Sequence, residues 1–170
     1  MSKAFTRESD DVPDPPAPLR QMSPLPAGAK NYMTPDGARR LREELDHLVH
    51  EERPRIAIST DDPNAKRQRQ LLDQRILRLQ QSLQSALVVP PPTPPEDRIR
   101  FGATVTVQER SGGESSYRIV GVDETDIDRG YVSWLSPIAK ALLNARLGER
   151  VRFRFPSGEE ELEITRIAYE

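Results

Sequence analysis

The apolar positions change period along the chain, and the change predicts a change of architecture. In YMTPDGARRLREELDHLVHEERPRIA, Leu41, Leu45, Leu48 and Val49 recur at three- and four-residue steps, which marks one helical face. Thr34 has the side chain of an N-cap, and Pro35 stands at the first helical position, where its missing N–H costs nothing. Pro54 predicts a kink or the end of the regular helix. Beyond it, Leu72, Ile76, Leu79, Leu83 and Ala86 step by four, three, four and three, a heptad seam. Two seamed helices joined by a short turn predict an antiparallel α-helical hairpin, a coiled coil closed within one chain. With about 25 residues per arm, it projects roughly 35–40 Å. The competing arrangement is a dimeric coiled coil. The break between Pro54 and Pro63 interrupts any continuous seam and favours the hairpin and a monomer.

After PPPTPP the period becomes two. Val105 and Val107 alternate with Thr104 and Thr106, SGG at 111–113 supplies a turn, and Tyr117 and Ile119 follow. Val151, Phe153 and Phe155 alternate with Arg152 and Arg154, PSG at 156–158 turns the chain, and Leu162 and Ile164 continue the pattern. Ile167 and Tyr169 fall out of phase, which predicts a bulge. Between these hairpins, SPIAKALLN (136–144) predicts a helix capped by Ser136, with Pro137 in its first turn. Ile138, Ala141 and Leu142 would share a face, and Gly148 would lie past its end. The fold class is α+β: a helical hairpin, then a small antiparallel β-sheet domain with one helix.

Proline sets the boundaries. Six of the 16 prolines fall within residues 1–30, among Ser, Asp and Ala, and predict a disordered tail. Five more make PPPTPP (90–95) a semi-rigid spacer between the hairpin, 31–89, and the sheet domain, 96–170. Charged residues are 31% and hydrophobic ones 35%, a polar balance suited to exposed helices. A net charge of −2 excludes strong global attraction to nucleic acid and leaves room for local basic patches. The absence of cysteine excludes disulfides and thiolate metal sites. His47 and His50, three apart, do not by themselves make a zinc site, so no stably bound metal or cofactor is expected. No apolar run reaches the roughly 20 residues that span a bilayer. MSKAFTRESDD lacks the apolar centre of a signal peptide, so the expectation is a cytoplasmic protein with no membrane partner.

The turn between the two arms, ISTDDPNAKRQR (58–69), holds the candidate chemistry. Asp62 before Pro63 would cap the second helix, and Asp61 would gain from the helix dipole. The alternative is a metal-related role for the adjacent carboxylates, which requires both to face outward. Lys66, Arg67 and Arg69, with Arg75 and Arg78, make the second arm basic. That charge either attracts RNA phosphates or serves as a solvated helix face. No aromatic residue interleaves with it, which argues against base stacking.

Three passages carry a resemblance: YMTPDGARRLREELDHL with ERP (52–54), VDETDIDRGYVSWLSPIAKALL (122–143) and GERVRFRFPSGEEELEI (148–164). Their order and spacing resemble the Gre family of bacterial transcription factors, the GreB branch above all. The resemblance implies an FKBP-like C-terminal domain that docks on RNA polymerase at its secondary channel, and a coiled coil that enters the channel. It implies that Asp123, Asp126, Ser136 and Pro137 lie in the docking region, alongside the capping role of Ser136–Pro137 and the loop role of Asp126. It also implies proximity of the basic arm to nascent RNA. In cleavage-competent members, a D-x-x-E-N tip helps hold a second Mg²⁺ of the polymerase, an ion that prefers hard oxygen ligands. This chain has no D-x-x-E-N, and no glutamate between Glu52 and Glu96. Relative to typical members about ten residues are missing, which withdraws the tip by roughly 7 Å. The leading expectation is therefore a regulatory, non-enzymatic factor that binds polymerase without strong transcript cleavage. The alternative is cleavage stimulation with Asp61 and Asp62 helping to hold the polymerase's Mg²⁺. Prolyl isomerase activity is disfavoured, since the few aromatics are spent on strands rather than on an apolar pocket.

Overall fold

Residues 25–57, 63–93 and 96–169 are described by the structure, a computed structural model. Most of the expected N-terminal tail, Asp61 and Asp62 at the turn, and the last two spacer residues lie outside the described residues.

The helical unit starts at β1 (Asn31–Met33), followed at once by α1 (Pro35–His47). Thr34 caps α1, accepting from the Gly37 N–H at 3.0 Å, with Pro35 at the first helical position. Leu48–Glu52 form a π-helical turn, and α2 (Arg53–Ala57) continues the arm. Pro54 does not stop the helix; the chain widens just before it, and Arg53 N–H bonds to Leu48 O. A proline ring collides with the carbonyl four residues earlier, and an i→i−5 turn relieves that collision.

The return arm is α3 (Pro63–Ser85). Met33, Ala38 and Leu41 pack against Leu79, Leu83 and Ala86, and Leu48 packs with Leu72 and Ile76. Residue numbers rise along one arm as they fall along the other, so the arms are antiparallel. Ala86 leaves the helical seam for β2 (Ala86–Val88), which pairs in parallel with β1 at the base of the arms. The heptad pattern extends to Ala86 because a strand residue can fill the same apolar layer.

The second unit is a five-stranded sheet in the order β5-β4-β3-β7-β6. Its strands are β3 (Ala103–Glu109), β4 (Glu114–Val120), β5 (Tyr131–Ser133), β6 (Arg150–Phe155) and β7 (Gly158–Tyr169). The β3–β4 and β6–β7 hairpins turn where the sequence predicts. The antiparallel expectation needs correction at one edge: β5 pairs with β4 in parallel, so the sheet is mixed. Two short 3₁₀ turns, Val122–Glu124 and Ile127–Arg129, carry the chain around to that edge. The expected bulge is present. Thr106 faces Arg166 while Val107 faces Ile164, which leaves Thr165 as the extra residue on β7.

Helix α4 (Pro137–Leu142) covers one face of the sheet and buries Ile138, Ala139 and Leu142. It is shorter than expected, and Ala139 rather than Ala141 completes its buried face. Asn144, in the left-handed region at φ 70°, turns the chain away, and its N–H bonds to Ile99 O at 2.8 Å. The core beneath gathers Val105, Val107, Ile119, Val151 and Ile164, each worth about 1.5–3 kcal/mol of burial. Among the described residues no helix is long and apolar enough to cross a membrane.

Candidate docking face and helical finger

The side chains on which the two units meet come from the base of the helix pair and from the connector between β4 and β5. Glu124 ends the first 3₁₀ turn and is 4% exposed. Its Oε2 accepts from the backbone N–H groups of Thr34 and Gly121, each at 2.9 Å. The Thr34 hydroxyl donates to Oε1 while accepting the Gly37 N–H of α1. A buried carboxylate is costly unless its oxygens are hydrogen-bonded, and here three donors from two units satisfy it.

The approach is so close that side chains are excluded on both sides. A Cβ on Gly37 would lie 1.8 Å from Glu124 Oε1, and one on Gly121 would lie 2.2 Å from Tyr32 O. Five further contacts surround this centre. Ser82 of α3 donates its hydroxyl to Asp123 Oδ2. The Tyr32 ring meets Trp134 edge-on at 5.1 Å and tilts against Phe101 at 5.8 Å. The guanidinium of Arg40, on α1, lies 5.7 Å from the centre of the Tyr131 ring, and that of Arg118, on β4, lies 5.4 Å away. Asp36, in the first turn of α1, belongs to this charged group. The hydrogen bond from Arg39 holds its carboxyl below the ordinary range; burial opposes this, while the charges of Arg40, Arg39 and Arg118 add to it.

The sequence-predicted docking residues divide by place. Asp123 turns toward the helix pair through Ser82. Asp126 caps the second 3₁₀ turn, accepting from the Asp128 N–H at 3.1 Å, and lies 3.5 Å from the Arg129 guanidinium. Its backbone exchanges both hydrogen bonds with Tyr131, at 3.0 and 2.8 Å. This braces a turn that carries Ile127 outward, 73% exposed. Ser136 caps α4, accepting from the Ala139 N–H at 3.2 Å, and Pro137 is exposed beside it. Asp123 and Asp126 thus share one connector, while Ser136 and Pro137 follow β5.

At the far end of the helix pair, Lys66, Arg67 and Arg69 are exposed on the first turns of α3. Arg69 reaches the Ile56 carbonyl at 3.5 Å. Described carboxylates near this end already have side-chain partners: Asp73 lies 3.1 Å from Arg53, and Glu52 lies 3.5 Å from both Arg55 and His47. Asp61 and Asp62 lie outside the described residues, so their capping and metal-related roles stay at the level of expectation. Among the described residues no three His, Asp or Glu side chains gather as a metal site.

Sequence reasoning took Thr34 for a cap and passed over Glu124. One signal was present, since Glu124 lies three residues after Gly121, the spacing at which a glutamate reaches back to the start of its own turn. Nothing local could pair it with Thr34, ninety residues away.

Comparison with known proteins places these features in a family context. The family described as "Transcription elongation factor, GreA/GreB, C-term" matches residues 94–169. A protein named transcription elongation factor GreB from Neisseria meningitidis is 38% identical over 154 residues, covering 82% of this chain and 94% of that one. One named transcription elongation factor GreA from Alkalilimnicola ehrlichii is 38% identical, covering 83% and 99%. A Pseudomonas aeruginosa GreB is 34% identical, covering 88% and 96%.

Proposed function

Because the chain belongs to the GreA/GreB family of transcription elongation factors, we propose that it is a regulatory factor that binds RNA polymerase and inserts its helix pair into the secondary channel. The sheet domain, on this reading an FKBP-like unit with α4 against its sheet, docks on the channel rim. Asp123, Asp126, Ser136 and Pro137 lie in the docking region, and Lys66, Arg67 and Arg69 lie near the nascent RNA. The factor acts as a monomer, holds no cofactor of its own, and modulates transcription or competes with other channel factors.

The observation that carries the reading is the bracing at the base of the helix pair. Glu124, satisfied from both units, makes the arms a fixed projection of the sheet domain, which is what a finger inserted into a channel requires. Weak cleavage follows from the far end. No glutamate occurs between Glu52 and Glu96, and Glu52 and Asp73 at that end face arginines. A second reading rests on the adjacent Asp61 and Asp62 at the turn: cleavage stimulation in which they help hold Mg²⁺ of the polymerase.

One set of experiments tests both. The protein is expected to co-purify with core polymerase, and exchange of Asp126 or Pro137 is expected to weaken that association. Absence of binding at low salt refutes the proposal. In a backtracked complex with Mg²⁺, transcripts are expected to stay uncut. Cleavage that Asp61→Ala and Asp62→Ala abolish would establish the second reading instead.

A further inference from the structure

We propose that Glu124 is a positioning residue, whose carboxylate sets the angle at which the helical finger leaves the sheet domain. The consequence for transcription rests on the polymerase reading; the mechanical claim does not.

The backbone joins the two units only through the stretch between β2 and β3. The contacts at the base add a second set of constraints, and these bear directly on the angle between the units. The Ser82–Asp123 hydrogen bond is a single point of attachment, and the ring and cation–ring contacts at Tyr32 and Arg40 accept more than one packing geometry, offset-stacked as well as edge-on. The Glu124 carboxylate tolerates little. Its three donors approach from β1–α1 and from its own turn, and each bond weakens steeply off axis. Gly37 and Gly121 leave no room for the units to ride over one another without moving this group.

A small error at the base is magnified at the tip. Helix α3 has 23 residues. At 1.5 Å per residue the arm is about 35 Å long, so a swing of about 10° displaces its end by about 6 Å. Glu124 also shares the β4–β5 connector, residues 121–130, with Asp126 and the braced turn that presents Ile127. The finger is therefore held beside the turn proposed for docking, by a buried carboxylate that faces the helix pair and not the outer surface. Where the sheet domain docks, Glu124 dictates where the tip arrives.

The chain has no cysteine, so spin labels can be placed at Gln68→Cys on the exposed side of α3 and Arg110→Cys in the β3–β4 turn of the full chain. The native background is expected to give one narrow distance distribution. Glu124→Ala is expected to broaden or shift it, and Glu124→Gln, which keeps one oxygen for the Thr34 and Gly121 N–H groups, to restore most of the narrowing. Circular dichroism checks that helix content is kept. With polymerase, Glu124→Ala is expected to bind within about threefold of the native chain while losing about tenfold of its effect on transcription, as expected for a misplaced insertion. A native distance distribution in Glu124→Ala overturns the inference, as does an undiminished effect on transcription alongside native binding. Failure of the native chain to bind polymerase refutes the functional reading alone, since the distance measurement is made on the free protein.

Discussion

Gly37→Ala turns the contact between helix and carboxylate into a number with a definite sign. In an isolated helix the exchange stabilises by about 1 kcal/mol, because alanine loses less backbone freedom than glycine. Here the new Cβ would meet Glu124 at 1.8 Å from Oε1, 2.2 Å from Cδ and 2.6 Å from Cγ. Ordinary contact begins near 3.4 Å, so Oε1 must retreat by about 3.4 − 1.8 = 1.6 Å. A shift of that size takes the two 2.9 Å bonds to Oε2 and the Thr34 hydroxyl bond out of range. Hydrogen bonds to a charged group are each worth about 1.5–3 kcal/mol, and losses within one cluster do not add. A loss of about 3–4 kcal/mol against a gain of about 1 leaves Gly37→Ala destabilised by about 2–3 kcal/mol. Urea unfolding followed by fluorescence of Trp134, the single tryptophan and a neighbour of Tyr32 at this junction, measures it. In the Glu124→Ala background the same exchange is expected to become neutral or stabilising. A Gly37→Ala protein at least as stable as the parent would refute the argument, because the loss at Glu124 would then be no larger than the helix gain of about 1 kcal/mol.

Other consequences are simpler. Ser136→Ala removes the cap of α4 and is expected to cost about 1 kcal/mol in thermal or urea unfolding. Tyr169 donates its hydroxyl to Arg98 O at 2.6 Å and accepts from Arg100 N at 3.0 Å. Burial, ahead of the opposing bond from Arg100, pushes its phenol above the ordinary value. Tyr169→Phe is expected to lose about 1 kcal/mol and to speed amide exchange at Arg100. Asp36, with its carboxyl held below the ordinary value of 3.8 first by the Arg39 hydrogen bond, stabilises the fold above that value. The contribution fades as pH falls through the lower folded value. Asp36→Asn is expected to flatten the acid limb of a stability–pH curve by less than about 1 kcal/mol, because the pair is exposed.

Much of the architecture is written in local periodicity. Leu41, Leu48, Leu72 and Ile76 reveal two helical stripes, and Val105 and Val107 reveal a strand with one buried face. Ser136–Pro137 announces a helix start, and the phase slip at Ile167 announces the bulge. These features depend on neighbours within a few residues, and spacing alone encodes them. The missed features are those whose cause lies elsewhere in the chain. Strands β1 and β2 have three residues each, too few to show a period, and exist because each supplies the other's hydrogen bonds. The same holds for β5, which pairs with β4 in parallel. The widened turn at Leu48–Glu52 answers a clash between the Pro54 ring and the preceding turn, a matter of three-dimensional sterics that the sequence marks only as a break.

By itself the sequence determined two units of different period, a capped short helix, a basic second arm and an acid-poor stretch between Glu52 and Glu96. Only the tertiary structure decided how those units are joined. The joint depends on Thr34 and Glu124, whose hydrogen bonds close across ninety residues, and on two glycines whose missing side chains matter only because the other unit arrives there. A buried carboxylate needs donors, and nothing in its own neighbourhood states which distant backbone will provide them.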